Sequence, residues 1–288
     1  MISELPYLTA LLMLSAALAW LPSAFAFAGA LTAITYVTAA VLGYVQPLGL
    51  LAVVLCMLMA HICSRSIWIT NKKIAEISFF ILCIALSVHV FPGFQNPILI
   101  GPVQFSPDAY PFKMYLNLDK AAVGLSIFLL YRPLRRGEGI QTSLAWAAAG
   151  AFATVLVLLP PALLFKAVVW EPKLPPEFGL WALNNLLLVA FTEEALFRGF
   201  LQSNLARWFE NYSMSQWIGL GVSAVAFGIM HYSGGPIMVV FASVAGAIYG
   251  YAFRKGGLLA STLAHFGLNA AHLLLFTYPL RMIPSATW

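Results

Sequence analysis

Charge is what this chain has least of. Only 9% of its 288 residues are Asp, Glu, Lys or Arg, where a soluble domain carries about 25%. A water-exposed surface cannot be assembled from so few charges, so a soluble globular domain is excluded. Disorder is excluded for the opposite reason: 61% of the residues are hydrophobic and the mean hydropathy is +0.88, too apolar for a solvated coil. Cysteine is sparse as well. Cys56, Cys63 and Cys83 lie inside apolar runs without a Cys-x-x-Cys pair. They read as small buried hydrophobes, not as zinc ligands or a disulfide framework. Internal repeats are lacking. A net charge of +5 raises the question of a nucleic-acid partner, but the Lys and Arg residues sit in small groups between apolar stretches. There they set membrane orientation, and nothing resembles a nucleic-acid site.

What is there is apolar sequence in long runs. The expected fold class is all-α, a polytopic membrane helical bundle. At about 20 residues per span the length accommodates roughly eight to ten crossings. Apolar runs read against Pro, Gly and charge predict helices near 5–21, 24–44, 47–64, 74–91, 118–131, 143–169, 180–206, 216–232, 236–253 and 257–277. The fifth is too short for an ordinary span and is tilted, re-entrant or longer than drawn. Pro22 either separates the first two helices or kinks one long helix. The Ala-rich stretch around Ser23–Ala28 resembles a signal-peptide cleavage region, but Glu4 and the lack of early Lys or Arg favour an uncleaved span. The segment Phe91–Pro111, rich in proline and glycine, reads as a loop or surface cap.

Basic residues fall in alternate loops: Arg65, Lys72 and Lys73; Arg132, Arg135 and Arg136; Arg207, offset by Glu210; and Arg254 with Lys255. The positive-inside rule then puts both termini on the non-cytoplasmic side. The basic stretch Tyr131–Thr142 divides the chain into N-terminal helices of unassigned role (1–131) and a C-terminal core (143–277). The unusual polar residues fall almost entirely after that boundary.

A charge at bilayer depth costs at least about 2.5–3.5 kcal/mol, yet the seventh helix contains Thr192-Glu193-Glu194-Ala-Leu-Phe-Arg198. Glu194 and Arg198, at i and i+4, share a face and can pair. Glu193 points about 100° away and has no local charge partner. A structural ion pair therefore accounts for Glu194 and Arg198 but not for Glu193. The eighth helix ends Phe227-Gly-Ile-Met-His231, and the tenth carries His265-Phe-Gly-Leu-Asn269. His61, His89 and His272 read as histidines hydrogen-bonded to neighbouring helices. His231 and His265 differ, since both can reach the seventh helix. A carboxylate beside imidazoles can polarise water and pass on its proton, and Asn269, one turn beyond His265, can donate to a developing oxyanion. One inconsistency arises from depth. Measured along its helix, His231 plots several ångströms too far outward to meet Glu193 and His265.

At these residues the sequence resembles the CPBP family of intramembrane proteases, which includes endoproteases of prenylated CAAX proteins and bacterial proteins of bacteriocin processing or self-immunity. The family pattern of Glu-Glu-x-x-x-Arg, Phe-x-x-x-His and His-x-x-x-Asn reads here as Glu193-Glu194-Ala-Leu-Phe-Arg198, Phe227-Gly-Ile-Met-His231 and His265-Phe-Gly-Leu-Asn269. The resemblance covers about 143–277 and leaves the first five helices unassigned. It implies a C-terminal protease core of packed helices around a water-filled cavity, with glutamic-type chemistry. Carried over, Glu193 is the base, His231 its partner, and His265 with Asn269 the oxyanion donors. Glu194, Arg198 and Phe227 are structural or substrate-positioning. No cofactor is implied. Two histidines and a glutamate could instead hold zinc, but His-Glu-x-x-His is lacking, so metal-free chemistry is preferred. The implied partner is a membrane-anchored protein or peptide within the lipid bilayer, and the expected location is a bacterial inner membrane. A transporter, or a non-catalytic membrane scaffold, is the competing reading.

Overall fold

The computed structural model describes residues 4–65, 71–131 and 139–282. Arg132, Arg135 and Arg136, and most of the boundary drawn at Tyr131–Thr142, lie outside the described residues. Among the described residues nine helices form the protein: α1 (Leu5–Ala19), α2 (Phe25–Val41), α3 (Pro47–Ser64), α4 (Lys72–Ser87), α5 (Leu118–Leu130), α6 (Ile140–Leu164), α7 (Phe178–Trp208), α8 (Ser215–Ile229) and α9 (Pro236–Leu275). The fold is an all-α membrane helical bundle. Among the described residues five segments are long and apolar enough to cross a membrane: α2 with the turn before it, α3, α6, α7 and α9. α1 and α8 are apolar but shorter.

The ten predicted helices map onto these nine because α9 turns a corner at Gly257, whose φ of 74° and ψ of −169° break the helix internally. Only glycine occupies that region readily. The corner is held by α6, where Ser143 Oγ donates to the Gly256 carbonyl at 2.7 Å. Pro22 begins a separate element and is not a kink. Leu21 is extended, Pro22 opens a short 3-10 turn, and α2 folds back on α1, with Ser15 and Thr32 hydroxyls 2.9 Å apart. The three cysteines are buried and free.

The segment Phe91–Pro111 is more than a loop. Residues Ile98–Val103 (β1) pair antiparallel with Phe112–Tyr115 (β2), and Ile100 and Met114 are buried in one cluster with Trp181 of α7 and Leu273 of α9. A hydrophobic face supplied by the helices stabilises a hairpin that proline density argued against.

α5 is short, with 13 residues, because it is an interior helix. Every residue from Ala121 to Phe128 is buried. It docks on α7 where Gly124 faces Thr192: a Cβ at Gly124 would sit 3.0 Å from Thr192 Cα and overlap its hydroxyl. Its N-terminus is fixed by Asn96, whose Oδ1 accepts from the Leu118 amide at 2.9 Å, and by Asp119, whose Oδ1 accepts from Asn96 Nδ2 at 3.0 Å. An acidic residue in the first turn also suits the helix dipole. The polar residues are thus not confined to the C-terminal part. Glu76 and Asp119 are 2% and 1% exposed.

Candidate active site

Glu193 and Glu194 sit on a single α-helical turn of α7, Phe191–Glu194, with π-helical stretches before it (Asn185–Ala190) and after it (Ala195–Gln202). Such wide turns recur at functional sites because they re-aim neighbouring side chains. Glu194 faces the core. Its Oε1 accepts from Arg198 Nη1 at 3.0 Å, with both side chains 0% exposed, and from His265 Nδ1 at 3.0 Å. Arg198 Nη2 donates to the Gly246 carbonyl at 3.0 Å, and its guanidinium carbon lies 4.3 Å from the centre of the Phe227 ring. One turn on, Gln202 Nε2 donates to the Gly250 carbonyl at 3.0 Å. The two glycines of α9 leave room for these side chains. A Cβ on Gly246 would approach Arg198 Nη2 to 3.0 Å. The predicted pairing of Glu194 with Arg198 is present, and Phe227 is the ring that covers it.

Glu193 faces elsewhere, as its angular position requires. It has a charge partner after all: Lys120, on the first turn of α5, donates from Nζ to Glu193 Oε1 at 2.5 Å, with the two side chains 15% and 14% exposed. No local partner is expected for Glu193, and the one it has is 73 positions away in sequence. The other oxygen, Oε2, lies 3.8 Å from His265 Nε2. His265 therefore stands between the two carboxylates. It is stacked at 4.8 Å on Tyr249, and the Phe227 ring meets it edge-on at 5.7 Å.

His231 closes the arrangement. Its Nδ1 is 2.9 Å from the Phe227 carbonyl. A carbonyl only accepts, so Nδ1 carries a hydrogen and holds the ring in place. The depth inconsistency disappears in the packing. α8 runs antiparallel to α7, with Ser223 Oγ donating to the Phe197 carbonyl at 2.7 Å and Gly219 against the Gln202 carbonyl and Ala206. Counted from their connecting turn, Glu193 and His231 are both about 22–24 Å along. The register between packed helices decides the level, not distance from a presumed membrane face.

Two cavities meet here. A polar chamber of about 390 Å³ is lined by His89, Lys120, Thr192, Glu193 and His231, among others. An apolar groove of about 340 Å³ is lined mostly by α6 and α9 side chains such as Leu158, Phe241 and Leu268, and reaches His231, His265 and Asn269. His231 borders both. Asn269 lies on the groove side, and its Nδ2 donates to Asn185 Oδ1 at 3.1 Å. Of the histidines read as structural, His272 bonds the Thr277 carbonyl at 3.1 Å. His89 bonds Asp119 Oδ2 at 2.8 Å but also lines the chamber.

Lys120 is the residue the sequence reading missed. Its signal was an Asp-Lys pair directly ahead of an apolar run too short to span.

The family model for the type II CAAX prenyl endopeptidase, Rce1-like, matches residues 175–271. That stretch contains Glu193, Glu194, Arg198, Phe227, His231, His265 and Asn269, and the match is consistent with the resemblance to CPBP intramembrane proteases. Neither the curated proteins nor the solved structures return a match. The matched domain and the five apolar spans support an integral membrane protein with membrane protease activity.

Proposed function

We propose, on the premise that residues 175–271 are an Rce1-like endopeptidase domain, that this chain hydrolyses a peptide bond of a membrane-anchored protein or peptide with water activated by Glu193. The observation that carries the reading is one side chain's surroundings. Glu193 opens on a chamber large enough for water, shares it with His231, and has its Oε2 3.8 Å from His265 Nε2. Glu193 takes a proton from water as the water attacks the scissile carbonyl; the tetrahedral intermediate then collapses, the C–N bond breaks, and the proton passes by way of His231 to the leaving amine. His265 and Asn269, at the groove end, donate to the oxyanion. His265 is held in place by the Glu194 carboxylate, whose Oε1 lies 3.0 Å from its Nδ1. The apolar groove accepts the membrane-embedded part of the substrate, whether apolar peptide or prenyl chain. The proposed location is a bacterial inner membrane.

The reading needs no metal. Among the described residues no three His, Cys, Asp or Glu side chains are grouped as a metal requires. Oε1 of Glu193 already faces the Lys120 ammonium, and a divalent cation there would meet a like charge. That ammonium argues against a zinc ion bound at Glu193.

The test uses full-length protein in proteoliposomes with two fluorogenic probes, a farnesylated peptide ending in a CAAX sequence and a single-span apolar peptide. Glu193→Gln keeps size and polarity but removes the base. Turnover of the cleaved probe should fall at least about 10²-fold, and the same of His231→Ala. Undiminished turnover by Glu193→Gln would overturn the assignment.

A further inference from the structure

We propose that Lys120 is a positioning residue for this hydrolysis: its ammonium holds Oε1 of Glu193, so that Oε2, on the His265 side, is the oxygen left to take the proton of the attacking water. The inference rests on Glu193 being the base.

A glutamate carboxylate turns freely about its last torsion, where rotamers are broad and two-fold. Without a third group, Glu193 could swing either oxygen toward His265, which lies within 3.8 Å. Lys120 removes that freedom by taking one oxygen at 2.5 Å. Its own placement is fixed from three sides. Gly124, one turn along α5, brings the backbone against Thr192, the neighbour of Glu193. Asn96 fixes the α5 N-terminus through the Leu118 amide. Asp119 accepts from the Lys120 amide at 2.8 Å and binds His89 on its other oxygen. This makes a supporting frame of the kind a reacting group needs. None of these residues except Thr192 falls within 175–271, so the N-terminal helices furnish part of the site.

The experiment measures kcat and KM separately, in proteoliposomes, for whichever of the two probes is cleaved. Four proteins are compared: wild type, Lys120→Met, Glu193→Gln, and Lys120→Cys before and after 2-bromoethylamine, which restores an ammonium at nearly lysine length. The native cysteines are buried, and treated wild type is the control. Lys120→Met should lower kcat about 10²-fold, the scale of an ångström-level misplacement, with KM within about two-fold. Aminoethylation of Lys120→Cys should restore most of kcat. Wild-type or raised kcat in Lys120→Met, with Glu193→Gln inactive, overturns this inference alone; an active Glu193→Gln overturns the base itself. A loss that aminoethylation does not restore marks a structural role and overturns it too. If Lys120→Met does not fold, carbodiimide coupling of the wild type decides. An amide cross-link between Lys120 and Glu193, found by mass spectrometry, is the expected product, and its absence overturns the contact.

Discussion

Replacing Arg198 by alanine should unfold this protein far more readily than neutralising Glu193, although both changes break one ion pair. Arg198 and Glu194 are each 0% exposed. With the guanidinium gone, Glu194 keeps only His265 on Oε1, and its Oε2 already has no hydrogen-bond partner. Leaving one charge of a buried pair uncompensated costs about 3–5 kcal/mol. The Phe227 ring also loses the cation packed 4.3 Å from its centre. At about 2–4 °C per kcal/mol for chains of comparable size, the midpoint should drop by roughly 10 °C. Glu193→Gln is different. Lys120 and Glu193 border a chamber of about 390 Å³, where water can solvate the ammonium left behind. The cost there should be smaller than that of stranding Glu194, because the Lys120 and Glu193 side chains are 15% and 14% exposed where Arg198 and Glu194 are fully buried. Thermal unfolding in detergent, followed by tryptophan fluorescence, compares the two variants with wild type. The double variant Glu194→Gln with Arg198→Met removes both charges and should recover much of the loss. An Arg198→Ala protein with the wild-type midpoint, or a Glu193→Gln protein that melts lower than Arg198→Ala, refutes the division of roles between the two glutamates.

Further outcomes follow from the same geometry. His265→Ala and Asn269→Ala should each lower turnover of a cleaved probe by about 10²–10³, as for other oxyanion donors. Asn185→Ala, which frees Asn269 without touching the reacting atoms, should lower it less; equal losses would make Asn269 a packing residue. Elemental analysis should find well under one zinc per chain, and a chelator should leave the rate unchanged. Stoichiometric zinc whose removal abolishes activity and whose return restores it would make Glu193 the base at a metal-bound water.

Much of this could be read along the chain because it is periodic or local. The helices follow from apolar runs, and the Glu194–Arg198 pair follows from i,i+4 spacing. The corner at Gly257 follows from Arg254-Lys255-Gly256-Gly257 interrupting an apolar stretch. What escaped depends on contacts distant in sequence. Lys120 meets Glu193 across 73 positions, and nothing near either residue reports the other. Gly246 and Gly250 stand in an apolar run with nothing in the local sequence to set them apart. Their function appears only beside Arg198 and Gln202, whose donors need bare carbonyls. The β-hairpin was hidden because local turn chemistry predicts a loop, whereas burial of Ile100 and Met114 against Trp181 favours strands. The misplaced depth of His231 came from treating each helix alone.

The close approach of Gly124 to Thr192 has a mechanical side. Helices in a bilayer tilt and slide as its thickness changes, and a step of one residue along a helix is about 1.5 Å. At this point one backbone lies in the hollow left by a missing side chain, with Thr192 filling it. Such a fit acts as a detent: axial slip in either direction drives the Thr192 side chain against the α5 backbone or its neighbouring residues. α5 and α7 should therefore keep their register where lipid thickness shifts the outer helices. The Lys120–Glu193 contact should then depend little on the thickness of the surrounding membrane, because of a residue that contributes no side chain at all.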